Sequence, residues 1–354
     1  MSDNNKIKFL LGSNTKIGFV SLFDELRNPL EGKRLYIIKG GPGSGKSSLM
    51  KRVLKVLEAK EHSIEYFHCA SDPGSLDAYI DYDSGIAMVD GTAPHTMDPR
   101  YPGAYDTIIN MGDCWDESSL MAYKDEIIQL SDTISSCHQM ATASIASAAD
   151  FLNNNMTMAK PYVKLNVVND FVRKLINDIK GTNKGKVKKR LLSAVSVGET
   201  VFFNETIAAY ADKIYVIPDM WGAASKALLS ALAHEASLLG LEHIICYCSI
   251  RTPHKIDHII FPSAAIAVTT SNSFHSIKDN KHYLVTNLME EIPDTYIDRM
   301  SLHLNISKEL IDLATDHIKD AKLMHDDLEA FYIKAMDFSK VDPIFNRIIS
   351  ENKL

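Results

Sequence analysis

The sequence predicts an α/β protein of two related modules in tandem, each a mostly parallel sheet flanked by helices and each ending in a helical hairpin. Three observations carry that expectation. Residues 33–39, rich in β-branched and aromatic types, pass straight into a glycine-rich loop and then into a helical pattern. The apolar frame of this unit recurs at a fixed offset in the second half of the chain. Both halves close on long stretches whose apolar residues fall three and four positions apart.

A chain of 354 residues exceeds one ordinary core, which favours two domains. Its 45% hydrophobic and 23% charged content is that of a globular protein rather than a disordered one. The formal charge of -7 argues against the broad electrostatic attraction that duplex DNA or anionic membrane binding needs. Met1 to Phe9 is polar and lacks the apolar core of a secretory signal, and no later run reaches the ~18 apolar residues of a membrane span. The expected location is therefore cytoplasmic. Cys69, Cys114, Cys137, Cys246 and Cys248 show no zinc-ligand spacing and are expected to be reduced structural thiols.

Lys33 to Lys39 reads as a buried parallel strand. Beyond it Gly40, Gly41, Pro42, Gly43, Ser44, Gly45, Lys46 and Ser47 match G-x-x-x-x-G-K-[ST], and Leu49, Val53, Leu54 and Leu57 then share one helical stripe. Strand, loop and helix in that order make a P-loop NTPase-like module. A triphosphate has to be wrapped by backbone N–H groups, which needs glycines that accept positive φ and present no Cβ to the anion. The helix N-terminus adds partial positive charge. Lys46 is expected to reach the β- and γ-phosphate oxygens, Ser47 to ligate Mg2+ and Ser48 to add a further contact. A glycine-rich turn with no ligand is the bland alternative. Asp90 ends the apolar run Ile86 to Val89 and is the expected second magnesium anchor, at the strand ends where open α/β sheets bind ligands. Taken alone, Asp90 before Gly91 is also a common turn pair.

Arg34 to Ile38 recurs as Lys213 to Ile217, an offset of 179 that also sets Gly43 on Gly222, Leu49 on Leu228 and Cys69 on Cys248. At 180, Gly18 falls on Gly198, Phe23 on Phe203, Asp77 on Asp257 and His95 on His275. At 177, Ile109, Asn110 and Met111 resemble Thr286, Asn287 and Leu288. The ligand positions do not recur. Opposite Gly40, Gly45, Lys46 and Ser47 stand Asp219, Ala224, Ser225 and Lys226, and opposite Asp90 stands Thr270. One binding module and one degenerate module are the expectation, with a register shift onto Lys226 as the minor alternative. Residues 1–180 form the first module, 181–190 a basic connector and 191–354 the degenerate module, with helical hairpins over Glu117 to Ile179 and Asp298 to Asn352. The basic run Lys180 to Arg190 reads as a solvated connector, and contact with nucleic acid is its minor reading.

The tandem halves, the string Lys39 to Ser47 and the runs His68-Cys69-Ala70-Ser71-Asp72-Pro73 and Asp90-Gly91-Thr92-Ala93-Pro94-His95 resemble a bacterial family of duplicated P-loop ATPase-like proteins. That resemblance implies ATP binding, and hydrolysis as a further expectation. Two sites are implied for members whose second half keeps its loop, a condition this chain does not meet.

Turnover needs a residue that positions or deprotonates water. Gly91 stands where many ATPases place a glutamate, so Asp72 and His95 join Lys46 and Asp90 as candidate catalytic residues. Each has a structural reading. Asp72 precedes Pro73 as a turn former, with Arg251 and Thr252 near its counterpart, and His95 is matched by His275 in a half without ligand groups. The polar stretch Thr96 to Trp115 reads as a lid from which Arg100 could reach phosphate. Three functions follow: an ATPase or nucleotide-dependent switch; a kinase using Asp72 or the Asp106 region on a small acceptor; a non-catalytic nucleotide-binding scaffold. The sequence holds no N-K-x-D guanine reader, so ATP with Mg2+ is the expected ligand, with a protein partner or homo-oligomer left open.

Overall fold

The computed structural model describes residues 6–28, 31–251, 253–277 and 282–354; residues 1–5 of the N-terminal stretch and Thr252 lie outside the described residues. The first module contains β1 (Ile7–Phe9), β2 (Gly12–Thr15), β3 (Gly18–Ser21), β4 (Arg34–Lys39), α1 (Lys46–Ala59), β5 (Ile64–His68), β6 (Leu76–Asp81), β7 (Ile86–Asp90) and β8 (Asp106–Asn110). Six of these strands form a sheet in the order β1-β5-β6-β7-β4-β8, in which only β6 runs against the others. Alternation along the strands sends Tyr36, Ile38, Ile86 and Met88 to the face covered by α1, while Leu35, Ile37, Ala87 and Val89 line the opposite core.

Three helices follow: α2 (Glu117–Met121), α3 (Lys124–Ala159) and α4 (Leu165–Ile179). The second module then brings β9 (Val187–Arg190), β10 (Ser193–Val195), β11 (Thr200–Phe202), α5 (Asn204–Tyr210), β12 (Lys213–Pro218), α6 (Ala223–Leu238), β13 (His243–Tyr247), β14 (Ile256–Phe261), β15 (Ile266–Ser271) and β16 (Tyr283–Leu284), before α7 (Asp294–Ala335) and α8 (Val341–Asn352). Its six-stranded sheet runs β9-β13-β14-β15-β12-β16, position for position the order of the first. Even the irregularities match, since the β5/β6 pairing slips at Phe67/His68 and the β13/β14 pairing at Cys246/Tyr247. The turn 248–255 is one residue longer than 69–75, which is why the offset steps from 179 to 180. At the far edge the register sets Thr107 on Tyr283, an offset of 176 rather than the expected 177.

The modules share one core. Phe9, Leu35, Ile37 and Phe67 from the first pack with Leu191, Ile207, Ile214 and Ile244 from the second. The edge strands meet where Leu10 and Leu191 exchange both backbone hydrogen bonds, at 2.9 and 3.0 Å. Beside them Arg190 Nη2 lies 3.0 Å from Glu65 Oε2, both side chains buried, and the Tyr210 hydroxyl donates to the same carboxylate. Burial works most strongly on the Glu65 carboxyl, to raise its pKa, but the Arg190 and Lys188 charges together with the hydrogen bonds from Arg190 and Tyr210 outweigh it and hold the carboxyl below its ordinary value.

Three expectations change. The connector 181–190 is not all connector, because Val187–Arg190 is a strand paired with β13; its basic groups are matched by Glu31 at Lys186 and by Glu65 at Lys188 and Arg190. The helical additions are exchanged rather than folded back as hairpins on their own modules. α4 packs on α6 and the second sheet, whereas α8 packs on α1 and the first. Between them α3 and α7, about 54 and 63 Å long at 1.5 Å per residue, run antiparallel, joined at one end by the Trp115/Met336 bridge and at the other by Asn155 Nδ2 donating to the Met300 carbonyl. Helical periodicity specifies an apolar stripe but not its partner. Finally, Thr96 to Trp115 contains β8, an edge strand of the sheet, and sets Met97 and Tyr105 in the core. Among the described residues no helix is long and apolar enough to cross a membrane, and none of the five cysteines is in a disulfide.

Candidate functional site

β4 ends at Lys39 and α1 begins at Lys46, leaving residues 40–45 as a wide loop at the carboxyl end of the sheet. Gly43 and Gly45 hold φ of 65° and 84°, the left-handed region that favours glycine. Ser44 Oγ braces the turn by donating to the Gly41 carbonyl. Lys46 Nζ donates to the carbonyls of Gly40 and Gly41, at 2.9 and 2.7 Å, and stands 3.6 Å from Asp90 Oδ2. The first N–H groups of α1 have no intrahelical partner by the geometry of a helix start.

Asp90 is positioned by parallel pairing of β7 with β4, which sets it beside Ile38. Its Oδ1 accepts from the Thr92 amide, at 3.0 Å, and from the Thr92 hydroxyl, which leaves Oδ2 facing Lys46. A Cβ on Gly91 would meet Ile37 Cγ2 at 2.5 Å, so the strand packing itself leaves no room for a carboxylate-bearing residue there. Ser47 Oγ is buried and has no hydrogen-bond partner among the described residues. An orphaned hydroxyl of this kind suits a hard, oxygen-seeking divalent cation such as Mg2+.

The residues that cover the loop come from the other end of the chain. Glu329 on α7 accepts a hydrogen bond from the Gly43 amide through Oε1 at 3.3 Å. A Cβ on Gly43 would lie 2.8 Å from the Glu329 carbonyl oxygen, and one on Gly41 would lie 2.6 Å from the Tyr332 ring. Phe338 follows, its ring edge 3.4 Å from the Cβ position of Gly45. No local pattern near residue 329 marks Glu329, Tyr332 or Phe338, and only the exchanged helices bring them here.

The remaining candidates are placed differently. Asp72 accepts from the Gly74 amide and the Ser75 hydroxyl in its own turn, and lies 3.8 Å from Lys322 of α7. His95 is buried against Phe23, with Nδ1 on the Asp90 carbonyl and Nε2 3.5 Å from Asp77. Burial raises the Asp77 carboxyl to about 6, opposed by His95 and reinforced by Asp90. His275 repeats this placement, its Nε2 within 2.8 Å of the Thr270 hydroxyl. Asp106 pairs with Leu35 at the amino end of β4, the opposite end of the strand from the loop, and there binds Arg27 and the amides of Arg100 and Tyr101. The expected lid is thus pinned down, with the Arg100 backbone held at the far end of the sheet.

Residues 21–78 match the family model of Nephrocystin 3, N-terminal. The match spans β4, the loop, α1 and β5 but stops before Asp90. No curated protein and no solved structure matches the chain.

In the second module the equivalent loop has closed. α6 begins at Ala223, so only residues 219–222 separate strand and helix where the first module has 40–45. Gly222 keeps its positive φ of 82°, but Ala224 replaces the second glycine and is already helical. The Asp219 carboxylate, three residues before the N-cap Gly222, accepts from the Gly222 and Ser225 amides at 2.9 and 2.6 Å and so satisfies amides at the start of α6. Behind it Arg251, Lys255, Asp257, His258 and His275 form a buried polar cluster. Burial works to raise the Asp257 carboxyl, yet Lys255 and the neighbouring cations hold it far below its ordinary range.

Proposed function

We propose that the first module binds Mg-ATP and that the chain works as a nucleotide-dependent switch with slow hydrolysis, one module active and the other degenerate. The observation that carries the reading is Lys46 standing 3.6 Å from Asp90 at the start of α1, followed in the chain by the unpartnered Ser47 hydroxyl and preceded by a loop in which Gly43 and Gly45 take positive φ. The Nephrocystin 3 match over the strand, loop and helix supports it, as does the resemblance to bacterial duplicated P-loop ATPase-like proteins.

On this reading Lys46 exchanges the carbonyls of Gly40 and Gly41 for phosphate oxygens, and the loop and first-turn amides of α1 take the rest. Ser47 and Asp90 would hold Mg2+, which supplies charge neutralisation on the phosphates. The Glu329 carboxylate occupies one amide in the meantime, an anion standing where an anion binds. Phosphate displaces it and turns α7 about its fixed end, where the Asp116 amide donates to Ala335 and the Asp337 amide to Cys114. The other end of α7 packs through Met300 on Ala223 at the closed loop, so displacement in one module is felt at the other. Slow turnover follows from what comes after Asp90: Gly91, where strand packing crowds a Cβ, brings no second carboxylate, and Asp72 is engaged in its own turn. The kinase reading loses the Asp106 region, which is buried and at the wrong end of the sheet.

Phosphate release by the purified chain, with and without candidate metabolites and nucleic acids, tests this. Slow release indifferent to the additions is expected. Release that requires an acceptor would mean a kinase, and binding without release a scaffold.

A further inference from the structure

The loop accounts for the phosphates but not for what they are attached to. A recess of about 370 Å³ opens beside the loop, lined by Gly45, Ser48, Arg52, Phe338, Ser339 and Asp342 among others. None of Lys46, Ser47 or Asp90 lines it. Its size falls within the range of small-molecule sites, roughly 300–1,000 Å³. A triphosphate whose far end is tied to Lys46 and Asp90 leaves the loop past the last donors, at Ser48, and its nucleoside has to lie in the space next to that residue.

What lines that space suits a planar base. Phe338 is 47% exposed, although buried Leu49 and Val341 line the same recess, and its ring edge lies 3.4 Å from the Cβ position of Gly45. An exposed aromatic face beside a phosphate site is the usual platform for stacking a base. The wall is fixed independently of α7. Val341 and Ile348 of α8 are buried in the core of the first sheet, and Arg52 pairs with Asp342 at 2.9 Å while lying over the Phe345 ring. Arg52, Ser339 and Asp342 bring polar groups to the rim, where ribose hydroxyls and base edges need partners.

Building on the phosphate-loop reading, we infer that residues 338–342, from the far end of the chain, form the nucleoside subsite of the first module, with Phe338 stacking on the base. The nucleotide site is then composite: phosphates are held by the first half and the base by the last residues of the second. Sequence order hides this, because 338–342 belong to the half that has lost its own loop.

Calorimetric titration of the full chain with Mg-ATP and, separately, with inorganic tripolyphosphate and Mg2+ tests the inference. Phe338→Ala is expected to weaken ATP roughly tenfold, the scale of one stacked base, and to leave tripolyphosphate unchanged; Phe338→Tyr, which keeps the ring, restores ATP. Equal weakening of both ligands, or no change in either, would overturn the subsite. If the parent chain binds neither ligand, the phosphate-loop reading itself fails, and that outcome is distinct from the other two.

Discussion

Glu329→Gln isolates the gate. The change keeps the shape and an accepting oxygen but removes the charge that now occupies the Gly43 amide. A hydrogen bond to a charged group contributes about 1.5–3 kcal/mol. Here the 3.3 Å separation and the 36% exposure of the side chain place the contact at or below the lower end, about 1–1.5 kcal/mol. On the proposed reading that contact exists only before nucleotide binds, and the neutral amide keeps about half of it, so the change raises the free energy of the empty state alone by about 0.5–0.8 kcal/mol. Mg-ATP should therefore bind about two- to fourfold tighter to the variant. Repulsion between Glu329 and incoming phosphate acts in the same direction. The assay is calorimetric titration of parent and variant side by side, with Asp327→Asn as control, because Asp327 lines the α3/α7 groove instead of the loop. Unchanged or weaker affinity in Glu329→Gln would refute the gate.

Two further predictions concern the frame around the site. Asp77, raised to about 6, has a folded pKa above its unfolded one, so its contribution to stability is complete below about pH 4 and lost as pH rises through 6. Asp77→Asn, neutral throughout, should stabilise the chain at pH 8, by up to ~3 kcal/mol for a shift of two units, and change little near pH 4; an increment in melting temperature that does not vary with pH would count against this. Asp219→Ala removes the acceptor of the Gly222 and Ser225 amides and should cost about 1–3 kcal/mol in denaturant titration without creating a nucleotide site. Unaltered stability would show that acceptor to be dispensable.

How much of this was legible depended on whether the information was local. The order of strand, loop and helix was, because Gly43 and Gly45 mark the positive-φ positions of the turn and the apolar stripe from Leu49 marks the helix after it. The degenerate loop was legible as a loss of groups, though not as a change of shape: that Ala224 in place of a second glycine lets α6 start early and recruits Asp219 as an acceptor for its amides emerged only in three dimensions. The exchange of α4 and α8 was hidden for a different reason. Their apolar stripes would fit either sheet, and the choice is made by the length of α3 and α7, which carry each following helix to the opposite module. β8 was mistaken for lid because an edge strand buries only part of each side; Thr107, Ile108 and Asn110 remain at least partly exposed. Glu329 and Phe338 carried no signal, since each is an ordinary residue of its helix or turn until the long pair folds back onto the loop.

The central claim is a single nucleotide site built on the first loop, and the stoichiometry of Mg-ATP binding tests it most directly. Calorimetry should find one ATP per chain in the parent and in Ser225→Ala, and none in Lys46→Ala at the same concentrations. Two sites in the parent, or a Lys46→Ala chain that binds as the parent does, would contradict the account.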